Sequence, residues 1–354
     1  MKILFYGAGS LASLLASHLI AGGQDVTMLS RGKRLEDLRQ NGLVLCDLIS
    51  GDCDHTPVTV VETLQPQDAY DLVIVLMGKH YLAEVLPVLA ANQACPNVLF
   101  MGNNAAGPDA LANAVGKERL LMGFFGAAGR INDEIAYYAT QIGKSSARMM
   151  LGDPYEGITS QVEVVTKELE ASGFPVEHIE NIDAYLKTHV AAVLPVGCAY
   201  YLAGSSLDQL AATPDAQVVM LRGMREAMAV LRKLSIPIIP AQSKLIMRLP
   251  EPLMMAIMRK RLTAPGVRLG AIHIDGMHAE LSCLAEEFSE LKHRAGIATP
   301  NLDRLMAALS PSVPPIPYGS AGLRLDWRGV WAALAALSAI IALVFGVSRR
   351  KRRR

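Results

Sequence analysis

Apolar positions along this 354-residue chain fall into two regimes, and the change comes near residue 175. Before it, short apolar runs alternate with amphipathic stretches. Lys2–Tyr6, Asp25–Leu29, Asp71–Leu76 and Asn97–Met101 read as strands, with a helix over Leu11–Ile20. A nearly unbroken run such as DLVIVL at 71–76 suits a parallel strand covered on both faces. A turn-rich strand pair is expected within 42–61, and strands at 137–139 and 147–152 are expected to complete the sheet. Alternating strand and helix signals predict an α/β doubly wound parallel sheet. After Phe174-Pro175 the period becomes helical. Helices are predicted over 181–202, 215–234, 253–262, 276–295 and 301–309, which together make an all-α second domain.

The end of the chain differs in kind. Residues 310–329 begin with SPSVPPIP and read as an extended proline-rich linker. Residues 330–347 (VWAALAALSAIIALVFGV) hold no charge. At ~1.5 Å per residue, such a helix nearly spans a hydrocarbon core of ~30 Å. Trp327 and Trp331 stand at one end like interfacial anchors, and residues 348–354 close the other with RRKRRR. A membrane anchor is therefore expected on a cytoplasmic catalytic body, although that topology carries the basic run across the bilayer, against the positive-inside tendency. The domains are thus 1–175, 176–309, the linker 310–329, the span 330–347 and the tail 348–354.

Composition narrows the classes. Hydrophobic residues make up 51 % of the chain, enough to bury two cores, and the sixteen methionines read as core filler. The formal charge of +1 hides a mildly acidic body, because six bases crowd the last six positions. Such a body is not expected to bind nucleic acid. Five scattered cysteines without a C-x-x-C pair predict reduced thiols, and neither a disulfide framework nor a metal site. His278, Glu280, Glu286 and Glu287 have helical spacing that a metal could use, but solvated helix charges explain them more simply.

The candidate chemistry begins at the first turn. Gly7, Gly9 and Ala12 follow the first strand with the spacing G-x-G-x-x-(G/A) and open the first helix. That context fits a dinucleotide site: Gly7 for the turn, Gly9 for close approach of a pyrophosphate, Ala12 for packing, and the backbone of Ser10, Leu11 and Ala12 at the helix start. The second strand ends in Ser30-Arg31 with no carboxylate, which favours NADP(H) over NAD(H). Lys33 and Arg34 read as a solvated loop. Lys79 and the turn Gly102-Asn103-Asn104 follow later strands at their carboxyl ends, where open α/β sheets bind ligands.

With these residues in place the chain resembles the ketopantoate reductase (2-dehydropantoate 2-reductase) family over about residues 1–309. The markers are GAGSLA at 7–12, SR at 30–31, GK at 78–79, NN at 103–104, LMG at 121–123, DAYLKTHV around Lys187, HIDG at 273–276 and HRAGIATPN at 293–301. The resemblance implies NADPH-dependent reduction of a small 2-oxo acid or related carbonyl, in the pathway to pantothenate. It implies that Arg31 and Lys79 hold the 2′-phosphate, that Asn103 lies beside the nicotinamide, and that Lys187 is the proton donor. A cationic donor suits an oxygen that gains charge during hydride addition. The expectation extends to a homodimer. Three departures alter the substrate site: Ala191 and Pro195 stand where the family carries asparagines, and His273 where it carries a glutamate. His273 could serve as an acid near neutrality or pack within the second domain. Two other readings remain open, a membrane-tethered NADP(H)-binding sensor or scaffold without turnover and an imine-forming dehydrogenase.

Overall fold

The computed structural model describes residues 1–132, 134–142, 145–264, 274–336 and 338. The first domain is an eight-stranded sheet. Its strands are β1 (Lys2–Tyr6), β2 (Asp25–Leu29), β5 (Thr59–Val61), β6 (Leu72–Val75), β7 (Val98–Met101), β8 (Leu120–Phe125), β13 (Met149–Gly152) and β14 (Val176–His178). Their spatial order is β14-β13-β8-β7-β6-β1-β2-β5. The run from β5 to β8 is parallel, whereas β13 pairs antiparallel with β8. Chain order reverses between β1 and β6, and that switch point opens a crevice beyond the carboxyl ends of the strands.

Burial explains the strand choice. Ile3, Leu4 and Phe5 are fully buried and point alternately to opposite faces, so neither face can be polar. One face packs against α1 (Ser10–Ala21) and, farther along, α5 (Ser160–Glu170). The other packs against α3 (Leu82–Ala91) and α4 (Asp109–Val115). Between these lies α2 (Gly32–Asn41), which starts directly after Arg31, so Lys33 and Arg34 belong to a helix and not to a loop.

Segment 42–61 departs from the expected strand pair. It forms three strands, of which only β5 joins the main sheet. The other two, β3 (Leu43–Asp47) and β4 (Cys53–Thr56), make a small sheet with β9 (Ala128–Asn132) and β10 (Ile135–Ala139) in the order β4-β3-β10-β9. The strand expected at 137–139 therefore lies outside the main sheet. A short ribbon of β11 (Gln141–Ile142) and β12 (Ser145–Ser146) follows. The expectation of reduced thiols fails for one pair: Cys46 and Cys53 form a disulfide across the β3–β4 hairpin. They are directly opposite partners with Cα atoms 4.1 Å apart, a proximity that depends on hairpin register and not on any cysteine motif. Cys95, Cys198 and Cys283 are free.

The sheet takes in residues as far as His178, a few past Pro175, before α6 (Ile182–Leu202) begins. This helix belongs to both domains. Ile182 and Leu186 pack on the sheet, whereas Val190, Ala191, Leu194 and Cys198 enter the helical core. The second domain continues with α7 (Leu207–Ala212), α8 (Pro214–Lys233), α9 (Leu245–Arg248), α10 (Glu251–Leu262), α11 (His278–Ala295) and α12 (Pro300–Ala307). Buried faces of α8 carry Val219, Met220, Met224 and Leu231 into its centre. Full burial of such a side chain contributes about 1.5–3 kcal/mol.

The proline-rich segment lacks regular structure but is not a free linker. The Ile316 side chain is buried and its N–H donates to Leu202. Asp215, in the first turn of α8, accepts from the Ser320 hydroxyl and from the N–H groups of Gly322 (3.0 Å) and Leu323 (2.8 Å). Glu251, at the start of α10, is 4 % exposed and accepts from Arg222 (2.8 Å) and from the Asp326 N–H (3.0 Å). Two buried carboxylates thus strap residues 316–326 to the helical domain. Residues 328–336 are helical, with Trp331 and Leu334 exposed. Most of the expected span 330–347 and all of the tail 348–354 lie outside the described residues. Among the described residues, no helix is long and apolar enough to cross a membrane.

Candidate active site

The crevice at the switch point is built from the ends of β1, β2, β6 and β7. After β1 the chain turns at Gly7, whose φ of +111° is rarely adopted by other residues, and a Cβ there would lie 3.0 Å from the Leu76 carbonyl oxygen. A Cβ at Gly9 would meet nothing within 4 Å, so the space above that backbone is open. The first intrahelical donor is the N–H of Ser13, which bonds to Gly9 (2.9 Å). The N–H groups of Ser10, Leu11 and Ala12 precede it, and no side chain caps them. Open space, free N–H groups and the positive end of α1 suit a pyrophosphate. Ala12 is buried at the helix–sheet contact as expected. Arg34, expected in solvent, braces this turn instead: it donates to the Ala8 carbonyl (3.3 Å), the Ser13 hydroxyl (3.2 Å) and the Glu134 carbonyl (3.0 Å).

Arg31 is exposed at the end of β2, where its guanidinium donates to the Tyr6 hydroxyl (3.2 Å). Lys79 lies on the other side of β1, in the short 3₁₀ turn Lys79–Tyr81 after β6, and ion-pairs with Glu287 of α11 (3.0 Å). It lines a pocket with Met77, Gly102, Asn103, Asn104 and Met122. The two cations that the resemblance joins on one phosphate therefore stand on opposite sides of the first strand, with different partners.

Beyond β7 the chain folds through Asn103 and Asn104. The Asn104 side chain closes the loop on itself, accepting from the Gly107 N–H (3.0 Å) and donating to the Gly107 carbonyl (3.1 Å). Gly107 has φ +95°, and a Cβ on it would lie 3.3 Å from Lys187 Nζ and 3.6 Å from Asp183 Oδ1. Lys187 sits where α6 passes from sheet to helical core. It is 8 % exposed and ion-pairs with Asp183 one turn earlier. Thus α6 and the Asn104 loop bring a buried ammonium to the same loop as Asn103.

Asn103 donates to Glu280 of α11 (2.9 Å), while its Oδ1 is buried without a partner, as is Asp183 Oδ1. Burial raises the Glu280 carboxyl above its ordinary range, against the lowering effects of the Asn103 amide, His80 and Lys79. Glu280 and Glu287 are therefore not solvated helix charges, as the spacing alone suggested. They join the second domain to the loops of the first. His273, expected at a catalytic position, lies outside the described residues, but the cleft does receive a carboxylate from Glu280. Ala191 is fully buried and Pro195 is buried within α6. Among the described residues, no group of His, Cys, Asp and Glu is placed to hold a metal ion.

Sequence reasoning missed Glu280, Glu287, Asp183, Gly107 and Arg34. The available signals were weak: Asp183 and Lys187 have i,i+4 spacing, and Glu280 and Glu287 lie two turns apart on one helix. Whether those glutamates face solvent or a neighbouring loop depends on how α11 crosses the cleft.

Known proteins share this fold. Residues 3–146 match the family described as ketopantoate reductase PanE/ApbA. A 2-dehydropantoate 2-reductase of Mesorhizobium japonicum is 24 % identical over 249 residues, covering 65 % of this chain and 76 % of that protein. Among solved structures, a 2-dehydropantoate 2-reductase from Geobacter metallireducens superposes with TM-score 0.70 at 17 % identity, covering 87 % of this chain and 99 % of the other. A D-mandelate dehydrogenase with NADH and anilino(oxo)acetate does so with TM-score 0.72 at 16 % identity, covering 87 % and 97 %. At such identities the structural likeness establishes the fold. Over residues 3–146 the chain carries the ketopantoate reductase PanE/ApbA family domain.

Proposed function

We propose that this chain is an NADPH-dependent reductase of a small 2-oxo acid, with the interdomain cleft as its active site and Lys187 as proton donor. The observation that carries the reading is a buried ammonium, Lys187, at the Asn103–Gly107 loop, on the same carboxyl-end edge of the sheet as a turn suited to a pyrophosphate. The first turn of α1 would hold the pyrophosphate, and Arg31, with no carboxylate beside it on β2, would take the 2′-phosphate. The nicotinamide supplies a hydride to the carbonyl carbon. As that bond forms, negative charge grows on the carbonyl oxygen, where Lys187 stabilises it and delivers the proton. Asp183 keeps the ammonium oriented, and the unpartnered Asn103 Oδ1 offers an acceptor to a ligand N–H or O–H.

The test is absorbance-monitored NADPH oxidation by a chain ending at Gly329, which keeps the strap. The panel holds ketopantoate, the 2-oxo acid of mandelate and simple 2-oxo acids. Turnover with one of them is expected, and Lys187→Ala should lower kcat by roughly 10²-fold or more, as loss of a general acid does, with little change in NADPH affinity. Unchanged turnover would remove Lys187 from the mechanism. Ala191 and Pro195, apolar and buried where the resemblance expects amides, favour a second reading, a nucleotide-binding sensor. NADPH binding without turnover across the panel would select it. The uncharged stretch 330–347 and its terminal bases support a membrane anchor, expected to float the full chain, but not the shortened one, with phospholipid vesicles.

A further inference from the structure

Glu287 is held by three donors that belong to the other domain. Its Oε1 lies 3.0 Å from Lys79 Nζ, and its Oε2 accepts from the N–H groups of Ala105 (2.9 Å) and Ala106 (3.1 Å). The Lys79 and Glu287 side chains are only 12 % and 16 % exposed, so solvent screens this pair weakly. An ammonium on one oxygen of a carboxylate and two adjacent backbone amides on the other form a receptor for such an anion, whichever molecule supplies it.

The position of this receptor says which anion fits. It lies at the ends of β6 and β7, next to the pocket that Lys79 lines with Asn103 and Asn104. Arg31 stands across β1, at the end of β2. The receptor is therefore on the side of Asn103 and Lys187, where the reacting part of a ligand would sit. A 2-oxo acid carries its carboxylate one bond from the carbonyl, so a ligand with its oxygen at Lys187 needs an anion partner in this region.

We propose that Lys79 Nζ and the N–H groups of Ala105 and Ala106 bind the carboxylate of the acid substrate, and that Glu287 fills this place as an internal carboxylate when no acid is present. The identity of the ligand rests on the reductase reading, whereas the anion site itself rests on the three donors alone. Glu287 thus competes with the acid. Its departure releases the Lys79–Glu287 clasp between the domains, and the measured affinity falls by the fraction of molecules in which the receptor is free.

The experiment titrates the full chain with oxamate, a non-reducible carboxylate analogue, by calorimetry in the presence and absence of NADP⁺. NADPH and NADH are titrated separately by nicotinamide fluorescence. For an internal occupancy of two-thirds to nine-tenths, Glu287→Ala should tighten oxamate about 3- to 10-fold, since the free fraction rises to one. Glu287→Gln should act in the same direction and keeps the side-chain shape if the alanine variant is unstable. Adding Lys79→Met to either should abolish the gain, and Glu286→Ala, on the exposed face of α11, should change nothing. Unchanged or weaker oxamate binding in folded Glu287 variants would overturn the proposal. A gain for NADPH alone would also overturn it, by assigning the receptor to the 2′-phosphate. Failure of the wild-type chain to bind either dinucleotide would refute the reductase reading, and the oxamate titration without NADP⁺ would still judge the anion site.

Discussion

Gly107→Ala tests whether the Asn104 loop positions the Lys187 ammonium. The substitution has two separable effects. A side chain at φ +95° strains the backbone by about 1–3 kcal/mol. For a domain of 150–250 residues each kcal/mol lowers Tm by about 2–4 °C, so a drop of roughly 2–12 °C is expected. The added methyl would also lie 3.3 Å from Lys187 Nζ and 3.6 Å from Asp183 Oδ1, tight enough to push the flexible end of Lys187 by a few tenths of an ångström. Misplacement of a reacting group by about 1 Å can cost about 100-fold, so a shift of a few tenths of an ångström gives roughly a 3- to 10-fold loss in kcat, with NADPH affinity little changed. Gly173→Ala is the control. Its φ is +78° but a Cβ there meets nothing within 4 Å, so it should lower Tm without touching kcat. Melting curves and initial rates with the most active acid of the panel decide the matter. A Gly107→Ala variant that melts lower but turns over at the wild-type rate would refute the positioning argument, and one that melts normally would refute the backbone argument.

Two further outcomes follow from the fold. At Asp215, burial pushes the carboxyl upward, but hydrogen bonds from Ser320, Leu323 and Gly322 outweigh it and hold the group below its ordinary 3.8. A lowered folded-state value means that the carboxylate contributes stability above pH 3.8 and loses it as pH falls, so amide protection over 319–326 should collapse in acid. Asp215→Ala should produce the same loosening at neutral pH and speed trypsin cleavage after Arg324 roughly tenfold, as loss of ~1.5 kcal/mol of charged hydrogen bonding implies; equal cleavage rates would contradict the strap. The Cys46–Cys53 disulfide closes a loop with a sequence separation of seven, for which chain entropy gives roughly 2–3 kcal/mol. Cys53→Ser should therefore lower Tm by several degrees under oxidising conditions, and dithiothreitol should lower the wild-type chain equally; insensitivity to both would exclude the disulfide from the stability of this sheet.

What could be read from the chain was local. Gly7, Gly9 and Ala12 announce a strand–turn–helix because their roles are settled within six residues, and the buried runs at 72–75 and 98–101 needed only their own hydrophobicity. The α6 pattern was legible for the same reason, and Lys187 was reached through the resemblance carried by DAYLKTHV. The residues that escaped depend on distant partners. Glu280 and Glu287 look like ordinary helix carboxylates until α11 lies across the Asn103 loop, some 180 residues earlier in the chain. Arg34 looks like a surface base until α2 folds back on the first turn. Cys46 and Cys53 pair only through the register of a hairpin whose sheet the pattern did not separate from the main one. The proline-rich segment read as a linker because nothing in its own composition reveals Asp215 and Glu251.

The strap also ties the end of the described chain to one half of the molecule. Its carboxylate fastenings, Asp215 and Glu251, belong to the helical domain, as do Leu202, Thr213 and Arg222, which also bond to it, and no described side-chain hydrogen bond ties residues 316–326 to the sheet. Anything joined to the chain after Gly329 therefore takes its orientation from α8 and α10. If that end is tethered, the helical domain becomes the stationary half, and any opening of the cleft would swing the sheet, with its Gly7–Ala12 turn and Arg31, about the junction in α6. Nucleotide would then be collected by the free half and carried to a fixed Lys187.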